Sequence, residues 1–138
     1  MLLIVSQELE PSVTVSRPAF SNFGLAKGGL IKKIREIFMH RLLVLYNEPK
    51  DPAHFKKYYS ETHVPLVGKM TGVKKTSYSF DGKPMGPGKA PYFFVFEADF
   101  ESEAAMMDAF GSKEGQAVVA DVPNYATGGV TMMHFPLK

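Results

Sequence analysis

Residues 58–67 read Tyr-Tyr-Ser-Glu-Thr-His-Val-Pro-Leu-Val, and Pro65 is the residue on which their reading turns. Proline lacks an amide hydrogen and pushes the residue before it, here Val64, away from α geometry. A helix carrying Tyr58 and Tyr59 is therefore predicted to end at about His63. A histidine at such a break is fixed in place without being packed on every side. Imidazole is also one of few side chains that move protons near neutral pH.

Working outward, Arg41–Tyr46 is a nearly continuous apolar run, suited to a strand covered on both faces. Asp51 is placed as N-cap and Pro52 as first residue of the helix that follows. Phe55, Tyr58, Tyr59 and Thr62 recur at helical spacing and define its inward face. A further turn from Pro65 to Met70 stops at Thr71-Gly72, where glycine takes a left-handed conformation. Strand two, Val73–Phe80, sets Thr76, Tyr78 and Phe80 on one face and Lys75, Ser77 and Ser79 on the other, which predicts one buried face. Residues 81–91 form a long hairpin loop, and strand three runs from Tyr92 to Phe100. Ser102 caps a second helix bearing Ala105, Met106, Ala109 and Phe110. Gly111 interrupts it, and Lys113–Asp121 resumes the helical pattern. Val122-Pro123-Asn124-Tyr125 closes that stretch before a last strand, Gly129–Phe135.

The order β-α-β-β-α-β predicts an α+β, ferredoxin-like fold: an antiparallel four-stranded sheet with helices on one face. Apolar residues are expected on both faces of strands one and three, and one chain has nothing left to cover the second face. A second copy would cover it, which predicts a homodimer.

The 138 residues suffice for one domain with a real core, and 45% hydrophobic with 22% charged residues is ordinary for a soluble globular protein. A net charge of +2 with scattered lysines argues against nucleic acid and anionic membrane as partners. Lys56-Lys57 and Lys74-Lys75 read as solvated edges. With no cysteine there is no disulfide framework, thiolate nucleophile or Cys-type zinc site, which suits the cytoplasm. No segment has the apolar length to span a bilayer, and Met1–Val5 lacks the basic leader of a secretory signal.

Residues 1–38 are rich in Ser, Pro and Gly, with a short amphipathic patch at 30–38. They read as a low-structure extension ahead of a domain spanning 39–138. One expectation is that Met39 is the natural start, Arg35-Glu36 being encodable by purine-rich codons resembling a ribosome-binding site. The other is a genuine arm that docks through its apolar patch.

Tyr59 and His63, four apart on a helix, share a face, and an imidazole beside a phenol would shuttle a proton or hold an enolate, lactone or quinone oxygen. The alternative is a core histidine capping the last carbonyls of its helix. Tyr78, Phe80, Tyr92 and Tyr125, with Asn124 at the rim, would line a pocket for a ring-shaped ligand, or serve as plain packing and loop closure. His54 is expected in solvent. His40 and His134 lie on strands from opposite ends of the chain, so no metal-ligand spacing is expected to link them and no metal site is predicted. Gly82, Gly86 and Gly88 sit in a hairpin rather than between strand and helix, so no nucleotide site is predicted.

The strand His40–Tyr46, the run Phe55…Tyr58-Tyr59-x-x-Thr62-His63-x-Pro65-Leu66-Val67, the aromatic strand Tyr92–Glu97 and the late Asp121-Val122-Pro123-Asn124-Tyr125 together resemble the EthD family, over roughly residues 39–138. The resemblance implies a dimeric α+β barrel, an oxidoreductase or reductase label, and an accessory role beside an ether-degrading monooxygenase system. Barrel relatives include lactone isomerases and polyketide cyclases, whose proton transfer in a desolvated pocket suits His63 and Tyr59 better. Hydride or electron transfer needs a cofactor, and none is predicted here. The expected ligand is small, hydrophobic and ring-shaped. Alternatives are a noncatalytic protein that shields an unstable intermediate, and a haem-handling protein with His63 or His134 as axial ligand.

Overall fold

A computed structural model describes residues 28–31 and 38–138. Residues 28–31 are helical. Most of the amphipathic patch, and with it the question of a docking arm, lies outside the described residues.

Four strands make one antiparallel sheet in the order β2-β3-β1-β4: β1 His40–Tyr46, β2 Val73–Ser79, β3 Phe94–Phe100 and β4 Val130–Pro136. The first helical stretch comprises α1 (Pro52–Tyr58), a π-helical turn (Tyr59–His63) and α2 (Val64–Val67). The second comprises α3 (Glu103–Gly111), α4 (Lys113–Asp121) and a 3₁₀ turn, Val122–Asn124. This is the ferredoxin-like arrangement that the element order predicts.

Its caps follow the sequence. Asp51 accepts from the His54 amide at 2.9 Å and Ser102 from the Ala105 amide at 3.1 Å. Gly72 ends the first helical stretch with φ +86. Ser112 turns the corner between α3 and α4: its hydroxyl donates to Ala109 O at 2.6 Å and accepts from the Gly115 amide at 3.1 Å. The two helices meet so closely there that a Cβ on Gly115 would lie 2.1 Å from the Ala109 carbonyl oxygen.

The helix does not break before Pro65. It widens. The Val64 amide bonds to the Tyr59 carbonyl, five residues back, and Val64 keeps helical angles (φ −56, ψ −45). A proline ring clashes with the carbonyl four residues earlier in an α-helix, and the wider turn offers the chain room to continue past it. Thr62, expected inward, is exposed, and His63 takes the inward position after Phe55 and Tyr59.

The core lies between sheet and helices. Phe55, fully buried, packs edge-on against Tyr46, Phe93, Phe94 and Tyr125 at ring-centroid distances of 5.0–5.4 Å. Strand β2, an edge strand, is exposed on both faces, with Tyr78 half exposed. The expected buried face is only partly covered: Tyr59 packs against Tyr78 at 5.7 Å between ring centroids, and an open groove separates the rest of β2 from Val64 and Val67. The outer face of β3 is also more polar than expected: Val95 is followed by Glu97 and Asp99, which Arg41 on β1 holds at 3.1 and 2.7 Å.

The sheet order overturns one expectation. Strand β4 pairs directly with β1, Leu42 lying opposite His134. His40 and His134 are consequently neighbours, Nε2 to Nδ1 at 2.8 Å, although 94 residues separate them.

Candidate active site

His63 borders a cavity of ≈180 Å³ between the sheet and the helices. Leu42, Val44 and Tyr46 of β1, and Phe96, Ala98 and Phe100 of β3, form its floor; Val67, Met70, Phe110, Val118 and Val122 close it from the helical side. Apart from His63 and the Tyr46 phenol, every lining side chain is apolar. The imidazole, only 3% exposed, is the polar group best placed to act there.

Behind His63 stands Asp121, the last residue of α4, which the sequence reading passed over. Its Oδ2 lies 2.9 Å from His63 Nδ1, while Oδ1 accepts from the Tyr58 hydroxyl at 2.6 Å and from Asn124 Nδ2 at 3.0 Å. Asn124 also donates to the Tyr58 oxygen at 3.3 Å. Three side chains from the two helical stretches thus converge on one carboxylate, and no buried side-chain nitrogen or oxygen among the described residues lacks a partner.

The electrostatics assign the protons. Burial works to raise the Asp121 pKa, but the hydrogen bonds from Tyr58, His63 and Asn124 together outweigh it and hold the carboxyl below its ordinary range. An ionised carboxylate only accepts, so His63 Nδ1 carries the hydrogen in that bond. For His63 burial dominates and depresses the pKa, with the Asp121 contact opposing it in part. At neutral pH the ring is therefore uncharged, with its lone pair on Nε2, the nitrogen that Asp121 does not hold. Such an imidazole is a base oriented by a carboxylate, the relation found in catalytic triads and in metal-binding histidines.

Tyr59 stacks beside the dyad, its ring 5.1 Å from that of His63 and 4.5 Å from that of Phe94. Burial raises its pKa far above the ordinary phenol value, so it stays protonated. It does not border the apolar cavity. With Tyr78 it lines an adjoining groove that shares Val67, Met70, Val73 and Phe96 with the cavity. Tyr125 is core: 1% exposed, bonded to the Tyr46 hydroxyl at 3.0 Å and packed 4.7 Å from the His63 ring. Phe80 and Tyr92 border a separate hollow beside the hairpin loop, with Glu48 and Lys89. Asn124 touches Asp121 rather than the cavity. Of the seven expected site residues, then, His63 is on the wall, and Tyr59, Asn124 and Tyr125 support it from behind.

One signal for Asp121 was available: an acidic residue ending a helix two positions before Pro123-Asn124-Tyr125. The sequence alone does not show that this corner docks onto His63, because 58 positions separate the pair.

Comparison with known proteins agrees with this architecture. Residues 47–129 match the EthD domain. A protein of Rhodococcus erythropolis, described as an uncharacterized 11.0 kDa protein in the thcB-thcC intergenic region, is 42% identical over 99 residues, covering 69% of this chain and 91% of that protein. The crystal structure of an ethyl tert-butyl ether degradation (EthD) family protein from Bacillus halodurans superposes with a TM-score of 0.65 at 27% identity, over 73% of this chain and all of that one. Two more distant structures share the fold: a dimeric ferredoxin-like protein of unknown function from Thermobifida fusca (TM-score 0.57, 15% identity, 72% and 91% of the two chains) and SnoaB, a cofactor-independent oxygenase from Streptomyces nogalater (TM-score 0.54, 10% identity, 72% and 93%). The match over 47–129 takes in the π-turn and the His63–Asp121 pair, and the chain belongs to the EthD family.

Proposed function

We propose that this protein is an enzyme that removes or relocates a proton on a small, uncharged, hydrophobic ring compound, with His63 Nε2 as general base. The observation that carries the reading is the 2.9 Å contact between His63 Nδ1 and an ionised Asp121 at the wall of an otherwise apolar cavity. An apolar lining also strengthens any interaction with charge that develops on the substrate. Asp121 is a positioning residue: it fixes the tautomer and stabilises the imidazolium once the proton has moved. Tyr59 and Tyr125 hold the ring in place; Tyr58 and Asn124 hold Asp121.

The substrate class follows from the lining. With no cationic side chain on the wall, a carboxylated or phosphorylated ligand would lose its hydration without compensation. Lactones, phenols and hydroquinones fit, as uncharged rings with an acidic hydrogen. Isomerisation or cyclisation follows directly from a base of this kind, whereas the oxidoreductase role and any part in ether degradation would need a redox partner such as a monooxygenase system. Absence of cysteine fits the cytoplasm.

We also infer a homodimer. The sheet face away from the helices carries Leu43, Leu45 and Val95, with Met133 and Phe135 on β4 beside them. No other described element covers this apolar strip, and a second sheet of the same kind would.

The test is solvent-deuterium exchange or turnover across a panel of lactones, phenols and hydroquinones. His63→Gln is expected to abolish exchange of an accepted compound while binding persists. Equal exchange by wild type and variant refutes the base. Binding without exchange or turnover by the wild type, across the panel, supports a carrier instead.

A further inference from the structure

We propose that His40, His134 and Glu103 form a binding site for a divalent transition-metal ion of the Zn²⁺ class. Their ligand atoms all lie within 4.8 Å of one another. The site is distinct from the dyad. His63 packs on Tyr125, which packs on Tyr46 at the far end of β1, whereas His40 opens that strand.

The fold brings the three donors together from distant parts of the chain. His40 pairs with Phe100, the last residue of β3, and α3 starts just beyond, so Glu103 in its first turn comes to the same corner. On the other side β4 sets His134 opposite Leu42, making it the diagonal neighbour of His40 on the same face. Arg41, the adjacent cation, belongs to the opposite face and is occupied by Asp99 and Glu97.

The chemistry of the set is that of a metal site. Two imidazoles and one carboxylate are the donors that zinc takes in sites with an open fourth position, and the same trio suits other divalent first-row ions. His40 Nε2 and His134 Nδ1 face each other at 2.8 Å, so one ring gives a hydrogen and the other a lone pair to the same point. An ion in place of that hydrogen would accept lone pairs from both. At Zn–N distances of about 2.0–2.1 Å, tetrahedral ligation sets the nitrogens about 3.3 Å apart, so the rings need part by only about half an ångström. His134 on an edge strand and Glu103 on a helix surface are both exposed and free to make that adjustment, while the buried His40 anchors the site. The bound ion would tie β4 and α3 to the start of β1.

The full chain, stripped of metal and titrated with Zn²⁺ against a chromogenic chelator, tests this. One Zn²⁺ per chain is expected. Losing a ligand costs at least as much as losing a group behind one, so His134→Ala and Glu103→Gln should each weaken binding about tenfold or more. Both side chains are exposed, so both variants keep the fold, and Zn²⁺ should raise the melting temperature of the wild type but not of His134→Ala. His63→Gln should bind Zn²⁺ as the wild type does, whether or not it retains activity. No saturable binding, binding that either substitution leaves unweakened, or binding lost in His63→Gln overturns the site.

Discussion

Replacing Asp121 with alanine removes the acceptor on which His63, Tyr58 and Asn124 converge. The three donors are not equally harmed. Tyr58 is half-buried and Asn124 exposed, so water can take over their bonds, but His63 is 3% exposed and its Nδ1–H is left facing a void. An orphaned buried donor costs about 1–3 kcal/mol, and the charge-assisted bonds lost with it bring the total to about 2–4 kcal/mol. For a domain of about 100 residues that is a fall of roughly 10–25 °C in melting temperature. Circular dichroism against temperature at pH 7.5 measures it. Asp121→Asn should fall much less, since its oxygen still accepts from Tyr58 and its amide can face a His63 that has switched tautomer. The double variant His63→Phe/Asp121→Ala should melt above Asp121→Ala alone, because no buried donor is then left without an acceptor. A single variant Asp121→Ala that melts within a few degrees of the wild type, or a double variant whose loss is the sum of the singles, would refute the argument.

Three further outcomes follow from the same geometry. Gly115→Ala should destabilise by about 1–3 kcal/mol, against the usual gain of alanine in a helix, because its Cβ would meet the backbone of Ala109 and Phe110; thermal melts of the two proteins give the sign. Leu43→Lys, which places a charge in the centre of the uncovered sheet face, should convert a dimer into a monomer by sedimentation velocity. On pH, the depressed pKa of His63 means that the unfolded chain binds this proton at a higher pH than the native one. Stability should therefore decline as pH falls below about 6.5, with a second loss below about 3.9 as Asp121, depressed in the native state, takes up its proton. Rates that depend on the base should fall on an acid limb centred below 6.5, and a limb centred above 7 would contradict the burial argument.

Most of the fold was legible because it rests on local rules. Asp51-Pro52, Ser102, Gly72 and the Gly111 interruption mark where helices begin and end, and the apolar runs at 41–46 and 92–100 mark the two central strands. The π-turn was not legible. Pro65 announces a disturbance, but whether a helix breaks or widens depends on what its inward face gains by continuing, here the burial of His63 behind Tyr59. The pairings His63–Asp121 and His40–His134 escaped for another reason. Each joins residues far apart in sequence, so each needs the sheet order or the helix docking before it can be seen. Tyr78, Phe80 and Tyr92 were expected in the pocket because they are aromatic and lie on or beside strands. The structure places Tyr78 in the groove that adjoins the cavity His63 borders, and Phe80 and Tyr92 in a separate hollow beside the hairpin.

The central claim is that His63 is a neutral base held by Asp121, with its lone pair on Nε2. Long-range ¹H–¹⁵N correlation spectra of the histidine rings, recorded from pH 5 to 8 and assigned with His63→Gln, observe this directly. The account predicts that Nδ1 of His63 carries the hydrogen, that Nε2 is unprotonated at pH 7, and that the ring titrates below 6.5. A hydrogen on Nε2 instead, or a ring charged at pH 7, would contradict it.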